Sequence, residues 1–110
     1  MSTILPVALQ PGVTLGTAPT AICTAPTGKV LTIKRAAFVN VGVGTVSLTV
    51  TSTRSGGAAL VVILARGVPA GGIDLAPELS AWVLSPGDAL SATASAAGAV
   101  NCFINGMIVG

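Results

Sequence analysis

The sequence predicts an all-β protein, an antiparallel β-sandwich of jelly-roll type, on three observations. Short runs of β-branched residues and Ala alternate with Ser and Thr, and Gly, Pro, Asn and Asp break these runs about every ten residues. No stretch carries the apolar period of a long helix. At 110 residues the chain has room for one core and not two, so a single domain is expected.

The first 28 residues hold Pro6, Pro11, Pro19 and Pro26, and proline cannot donate to a sheet ladder. Residues 1–28 are therefore expected as an extended arm or edge strand, and residues 29–110 as the sandwich domain. From Val30 to Val41, Leu31, Ile33, Ala37, Val39 and Val41 share one parity, and a β-bulge near Arg35 accommodates the charged interruption. Thr45–Thr51 alternates Val46, Leu48 and Val50 with Ser and Thr, the pattern of a half-buried antiparallel strand. Between these two runs, Asn40-Val41-Gly42-Val43-Gly44 predicts a tight hairpin.

Ala58–Arg66 is apolar at nearly every position and is bounded by Gly-rich breakers. It reads as a strand covered on one face by the core and on the other by a neighbouring subunit, with a short buried helix as the alternative. Leu79–Leu84 then leads into Ser85-Pro86-Gly87-Asp88, a turn that predicts a second hairpin. Leu90, Ala92 and Ala94 alternate with Ser91, Thr93 and Ser95, and the last strand, Val100–Val109, sets Val100, Cys102, Ile104 and Ile108 on one face.

Composition points away from catalysis and towards association. Charged residues make up 7% of the chain and hydrophobic residues 52%, so the surface carries little charge and a domain this small leaves apolar patches outside. A homo-oligomer follows from that. The net charge of +2 is too small and scattered for nucleic acid, and Phe38, Trp82 and Phe103 are the sole aromatic residues. The longest purely apolar run, Ala58–Ala65, is far shorter than the ~20 residues of a spanning helix, so no membrane partner is expected. The N-terminus lacks the basic start of a secretory signal.

With no histidine, the Ser-His-Asp and Cys-His arrangements that activate nucleophiles cannot be built. Asp74 and Glu78 are the nearest pair of acids, and they read as a turn residue and a solvated loop charge rather than as a catalytic pair; Asp88 reads as a cap on the Pro-Gly turn. No catalytic residue, metal ligand or cofactor site is expected. Cys23 and Cys102 lie 79 positions apart, neither a metal-ligand nor a redox spacing. They are either two buried small hydrophobes or a disulfide, which forms only if the fold brings their Cα atoms within about 7 Å. Trp82 is a candidate interface residue by type, and Phe38 and Phe103 by their parity opposite the aliphatic face of their strands.

Val83-Leu84-Ser85-Pro86-Gly87-Asp88-Ala89-Leu90, with Ser91 to Asn101 after it, resembles small β-sandwich proteins of tailed-bacteriophage structural gene modules. Ala25-Pro26-Thr27-Gly28-Lys29 and Ile33-Lys34-Arg35-Ala36, with a strand ending in Asn40, look like the same family's first hairpin, and together these motifs span most of residues 21–110. The resemblance implies a non-enzymatic virion component assembled in the host cytoplasm. It would be a head decoration (cement) protein first, or else a tail, collar or fibre subunit; a receptor- or glycan-binding module is a separate alternative. It also implies contact with itself, as a trimer before other oligomers, and with a major capsid or tail protein. No catalytic residues carry over. Cys23 and Cys102 depart from the small or apolar residues expected at their positions.

Overall fold

The computed structural model describes residues 4–110, with side chains from residue 9 onward. Nine strands follow in order: β1 (Ile4–Thr14), β2 (Thr20–Thr24), β3 (Val30–Asn40), β4 (Val46–Thr53), β5 (Ala59–Val68), β6 (Ile73–Asp74), β7 (Val83–Leu84), β8 (Ala89–Ala94) and β9 (Val100–Val109). A single 3-10 turn, Pro77–Leu79, sits between β6 and β7.

One sheet runs β1-β9-β3, with β6 and β7 both on the far edge of β3; the other runs β2-β8-β4-β5. All pairings are antiparallel. The order is that of a long ribbon folded over itself. Its pairs β1–β9, β2–β8, β3 with β6 and β7, and β4–β5 are dealt alternately to the two sheets, which is the jelly-roll arrangement.

The alternation of the sequence builds the core. β4 buries Val46, Leu48, Val50 and Ser52 and turns Ser47, Thr49, Thr51 and Thr53 outward, and β8 buries Leu90, Ala92 and Ala94. β9 buries Val100, Cys102 and Ile104. These meet Leu31, Ile33, Ala36 and Phe38 from β3 in one cluster, to which Leu15 and Ile22 of the first 28 residues also belong. The proline-rich segment supplies the edge strands β1 and β2 of the two sheets, and irregular register between Ala8 and Val13 surrounds Pro11.

Three expectations need correction. The bulge of β3 falls between Ile33 and Arg35 as its charges suggest, but an extra residue exchanges the faces of everything after it. Ala36, Phe38 and Asn40 therefore point inward, while Val39 is half-buried and Val41 exposed. The second correction concerns the turns: Asn40–Gly44 and Ser85–Asp88 are crossings from one sheet to the other, since β3 does not pair with β4 nor β7 with β8. Among the described strands, β4–β5 is the consecutive pair that forms a hairpin. Third, Ala58–Arg66 is a strand, but in the single chain only Ile63 and Val68 of β5 are fully buried.

Two buried polar side chains fasten the crossings. Asn40 Nδ2 donates to the carbonyls of Gly44 and Val68, each at 2.8 Å, and its Oδ1 accepts from the Gly42 N–H at 2.9 Å. Asp88 accepts from the N–H groups of Ser55 at 2.9 Å and Ser85 at 3.1 Å, the capping role read from its place after Pro-Gly. Gly87 has φ +86°, and a β-carbon there would lie 2.6 Å from Ser55 Oγ, so this turn needs glycine for both reasons.

Candidate functional site

The charged residues of the 59–84 stretch form one cluster. Arg66, on the edge strand β5 of one sheet, donates from Nε to Asp74 Oδ2 at 2.7 Å and from Nη2 to Asp74 Oδ1 at 3.2 Å, on β6 at the edge of the other sheet. The same guanidinium reaches the 3-10 turn, donating from Nη2 to Glu78 Oε1 at 2.9 Å and from Nη1 to Glu78 Oε2. Asp74 Oδ1 also accepts from the Ala76 N–H at 2.8 Å. Arg66 holds the Glu78 carboxyl below the usual carboxylate range, chiefly through that hydrogen bond. Two carboxylates shared by one guanidinium form a structural clamp that ties β5 to β6 and to the 3-10 turn.

Around this clamp the surface is apolar. Leu60, Val61 and Leu64 of β5 stand exposed on one side, and Ile73, Leu75 and Val83 on the other. Beside the clamp an open cleft of about 430 Å³ is lined by Arg66 and Asp74 together with Val68, Pro69, Leu75 and Pro77. The clamp itself closes the side of the sandwich between the β5 and β6 edges, while the register turns Val61 to the outer face of one sheet, beside Thr51, and Ile73 and Val83 to the outer face of the other, beside Val39 and Thr32. The sequence signalled the exposed residues of β5 through the run Ala58–Ala65. Ile73, Leu75 and Val83 gave no such signal, as each is a lone apolar residue in turn-rich surroundings.

The aromatic candidates separate. Phe38 is completely buried and offers nothing to a partner, a consequence of the bulge that exchanges the faces of β3. Trp82 is half-buried and packs against the core cluster, while its carbonyl accepts from the Ile33 N–H at 2.9 Å. Phe103 is 40% exposed on the outer face of β9, its ring over Gly12, where a β-carbon would come within 3.1 Å of Cε1.

Cys23 and Cys102 are free thiols that face the core from opposite sheets. Burial pushes Cys23 up to about 11, and burial together with the neighbouring Cys23 pushes Cys102 up to about 12. A separate shallow depression of about 340 Å³ on the second sheet is lined by the hydroxyl residues Thr17, Ser47, Thr49, Thr93 and Ser95. Among the described residues no group of three or more His, Cys, Asp or Glu gathers as a metal site, and no helix is long and apolar enough to cross a membrane.

No family model matches the chain, and no curated protein matches it. Solved structures do. A chain of the infectious bursal disease virus particle superposes with a TM-score of 0.54 at 9% identity, over 98% of this chain and 30% of that one. VP2 in a subviral particle of the same virus gives 0.52 at 11% identity, over 98% and 32%. The T=1 particles derived from that virus give 0.51 at 11% identity, over 98% and 31%. This chain therefore spans about a third of the length of the viral proteins it matches. The likeness is one of fold: the whole sandwich occurs as part of larger proteins that build virus particles.

Proposed function

We propose that this chain is a non-enzymatic structural subunit of a virus particle, acting by burial of uncharged surface between subunits. The observation that carries the reading is the superposition of nearly the whole chain on particle-forming viral proteins, joined to the exposed aliphatic side chains of β5, β6 and β7. The finer reading rests on the sequence motifs around Ser85-Pro86-Gly87-Asp88: a bacteriophage head decoration protein that strengthens the shell through contacts with its own copies and with a major capsid protein. Residues 1–28 would then be an arm lending its outer edge to a neighbour, and residues 29–110 the body.

Burial of apolar area contributes roughly 25 cal/mol per Å², against which association entropy counts heavily, so many symmetric copies of a modest contact suit such a role. Native mass by light scattering, with and without reductant, tests the reading. A closed oligomer, a trimer above all, is the expected result, and a monomer at every concentration overturns it.

The hydroxyl-lined depression between Thr17 and Thr93 supports a second reading, a tail, collar or fibre module that binds a glycan. Its outward hydroxyls are chemically suited to sugars, but no exposed aromatic ring stands beside them for stacking. Binding on an immobilised glycan panel distinguishes this reading from the first.

A further inference from the structure

We propose that the outer face of the β1-β9-β3 sheet, around Lys34, Arg35 and Phe103, docks a different protein through a patch in which that protein sets carboxylates among apolar side chains; the inference rests on the reading of the chain as a subunit of a larger particle. The bulge of β3 creates the face. Its extra residue leaves Lys34 and Arg35 both exposed between the buried Ile33 and Ala36. Among the described residues neither cation has an acidic partner.

Register sets apolar residues beside these cations. Arg35 stands opposite Asn105 and Ala37 opposite Phe103, all four outside the core. Phe103 is therefore a diagonal neighbour of Arg35, at about 7–8 Å between the strands and within reach of a long side chain. On the far side of β3, Val83 lies beside Thr32 and Ile73 beside Val39, so an exposed aliphatic residue flanks the cation pair at each end. Arginine and aromatic residues are the types enriched in protein interfaces.

Charge selects the occupant. The acids of this chain are Asp74, Glu78 and Asp88. The side chains of Asp88 and Asp74 are only 6% and 12% exposed, and Glu78, at 37%, is already held by Arg66. A second copy would have to open its own clamp to offer a carboxylate, so the complementary charge comes from another protein. Nucleic acid fits less well, because two cations neutralise only about two phosphates and a phosphate backbone gives Phe103, Ile73 and Val83 nothing apolar to meet.

The test offers the full chain three immobilised probes at low ionic strength: a random copolymer of glutamate and tyrosine, poly-glutamate, and double-stranded DNA. Wild type should bind the copolymer most tightly, Lys34→Glu and Arg35→Glu should each weaken that binding at least about tenfold, and Phe103→Ser should remove the preference for the copolymer over poly-glutamate. Lys29→Glu is the control, because it makes the same change in net charge roughly 16 Å away along the chain and should bind like wild type. All the substituted side chains are at least partly exposed, so melting temperatures near wild type confirm folding. A wild type that ignores the copolymer overturns the docking face, whatever light scattering says of self-assembly, and an equal loss in Lys29→Glu overturns it as an effect of net charge alone. Tighter binding to DNA overturns it in favour of nucleic acid. A wild-type oligomer that Arg35→Glu dissociates overturns it in favour of a second copy. A wild type that stays monomeric yet binds the copolymer through Arg35 refutes self-assembly and leaves this face standing.

Discussion

Arg66 grips Asp74 through two parallel hydrogen bonds, and with them it fastens the edge of one sheet to the edge of the other. The backbone beside this contact is strained. Ala65, Ala76 and Ala81 have φ of +46°, +44° and +64°, a left-handed region that costs a residue with a β-carbon about 1–2 kcal/mol. A clamp that reaches two further segments from β5 is a physical reason for such backbone to persist.

Replacing Arg66 with Ala should therefore lower stability by about 1–3 kcal/mol, since it leaves the mostly buried Asp74 carboxylate half-satisfied. Arg66→Lys should recover only part of that loss, because a single ammonium cannot address two carboxylates with a planar fork. Urea unfolding checks both variants. A midpoint unchanged from wild type in Arg66→Ala would mean that the clamp is ornamental.

Ala81→Gly should stabilise the protein by about 0.5–1 kcal/mol, although glycine usually weakens a fold. Ala81 is exposed, so little packing is lost, while the left-handed strain is relieved. The same change at Ala76 should help less, because that methyl group is fully buried. Thermal melts of the two variants rank the effects.

Acid should loosen the clamp. The Glu78 carboxyl titrates lower in the folded chain than in the unfolded one because Arg66 donates to it. Its contribution is thus present above the ordinary carboxylate pKa and disappears as pH falls through the lower folded value. Unfolding measured between pH 7 and pH 3 should show wild type losing stability faster than Glu78→Gln; parallel curves would count against the Arg66–Glu78 contact in solution.

The residues that were legible in the sequence are those whose neighbours settle them. The alternation in Val46–Thr53 and Ala89–Ala94 says which side faces the core, and Asp88 after Pro-Gly says cap. What escaped depended on distant parts of the chain. Ser85-Pro86-Gly87-Asp88 has the same turn chemistry whether the next strand pairs with the last or crosses to another sheet, so local residues predicted a hairpin where the ribbon crosses over. Phe38 was misplaced by one extra residue at Lys34, because a bulge reverses every later side chain. Arg66 finds Asp74 and Glu78 only after β5 and β6 are brought to the same side of the sandwich, and separate readings of a turn residue and a loop charge could not contain that.

Neither thiol should react in the folded protein. With burial raising Cys23 to about 11 and Cys102 to about 12, the thiolate that attacks an alkylating reagent is scarce at neutral pH and has no access to it. Both should alkylate once the chain is denatured, as mass spectrometry will report. Because the folded pKa values lie above the unfolded ones, the thiols' share of stability is intact below about pH 8.5 and is lost as pH rises through the folded values. Modification of either cysteine in the native state would refute their burial.

Asn40 is the single side chain on which two sheet crossings converge. It is fully buried, and its amide donates to Gly44 and Val68 while its carbonyl oxygen accepts from Gly42. Truncation in Asn40→Ala strands two carbonyls and one N–H away from their partner, a loss of about 2–3 kcal/mol that should lower Tm by roughly 10 °C in a chain of this size. Asn40→Asp should be worse despite its matching shape, since a carboxylate sets oxygen against two carbonyl oxygens inside the core. Asn40→Asp melting near wild type while Asn40→Ala does not would mean that the site accepts a protonated acid or water, and that the crossings are held by backbone alone.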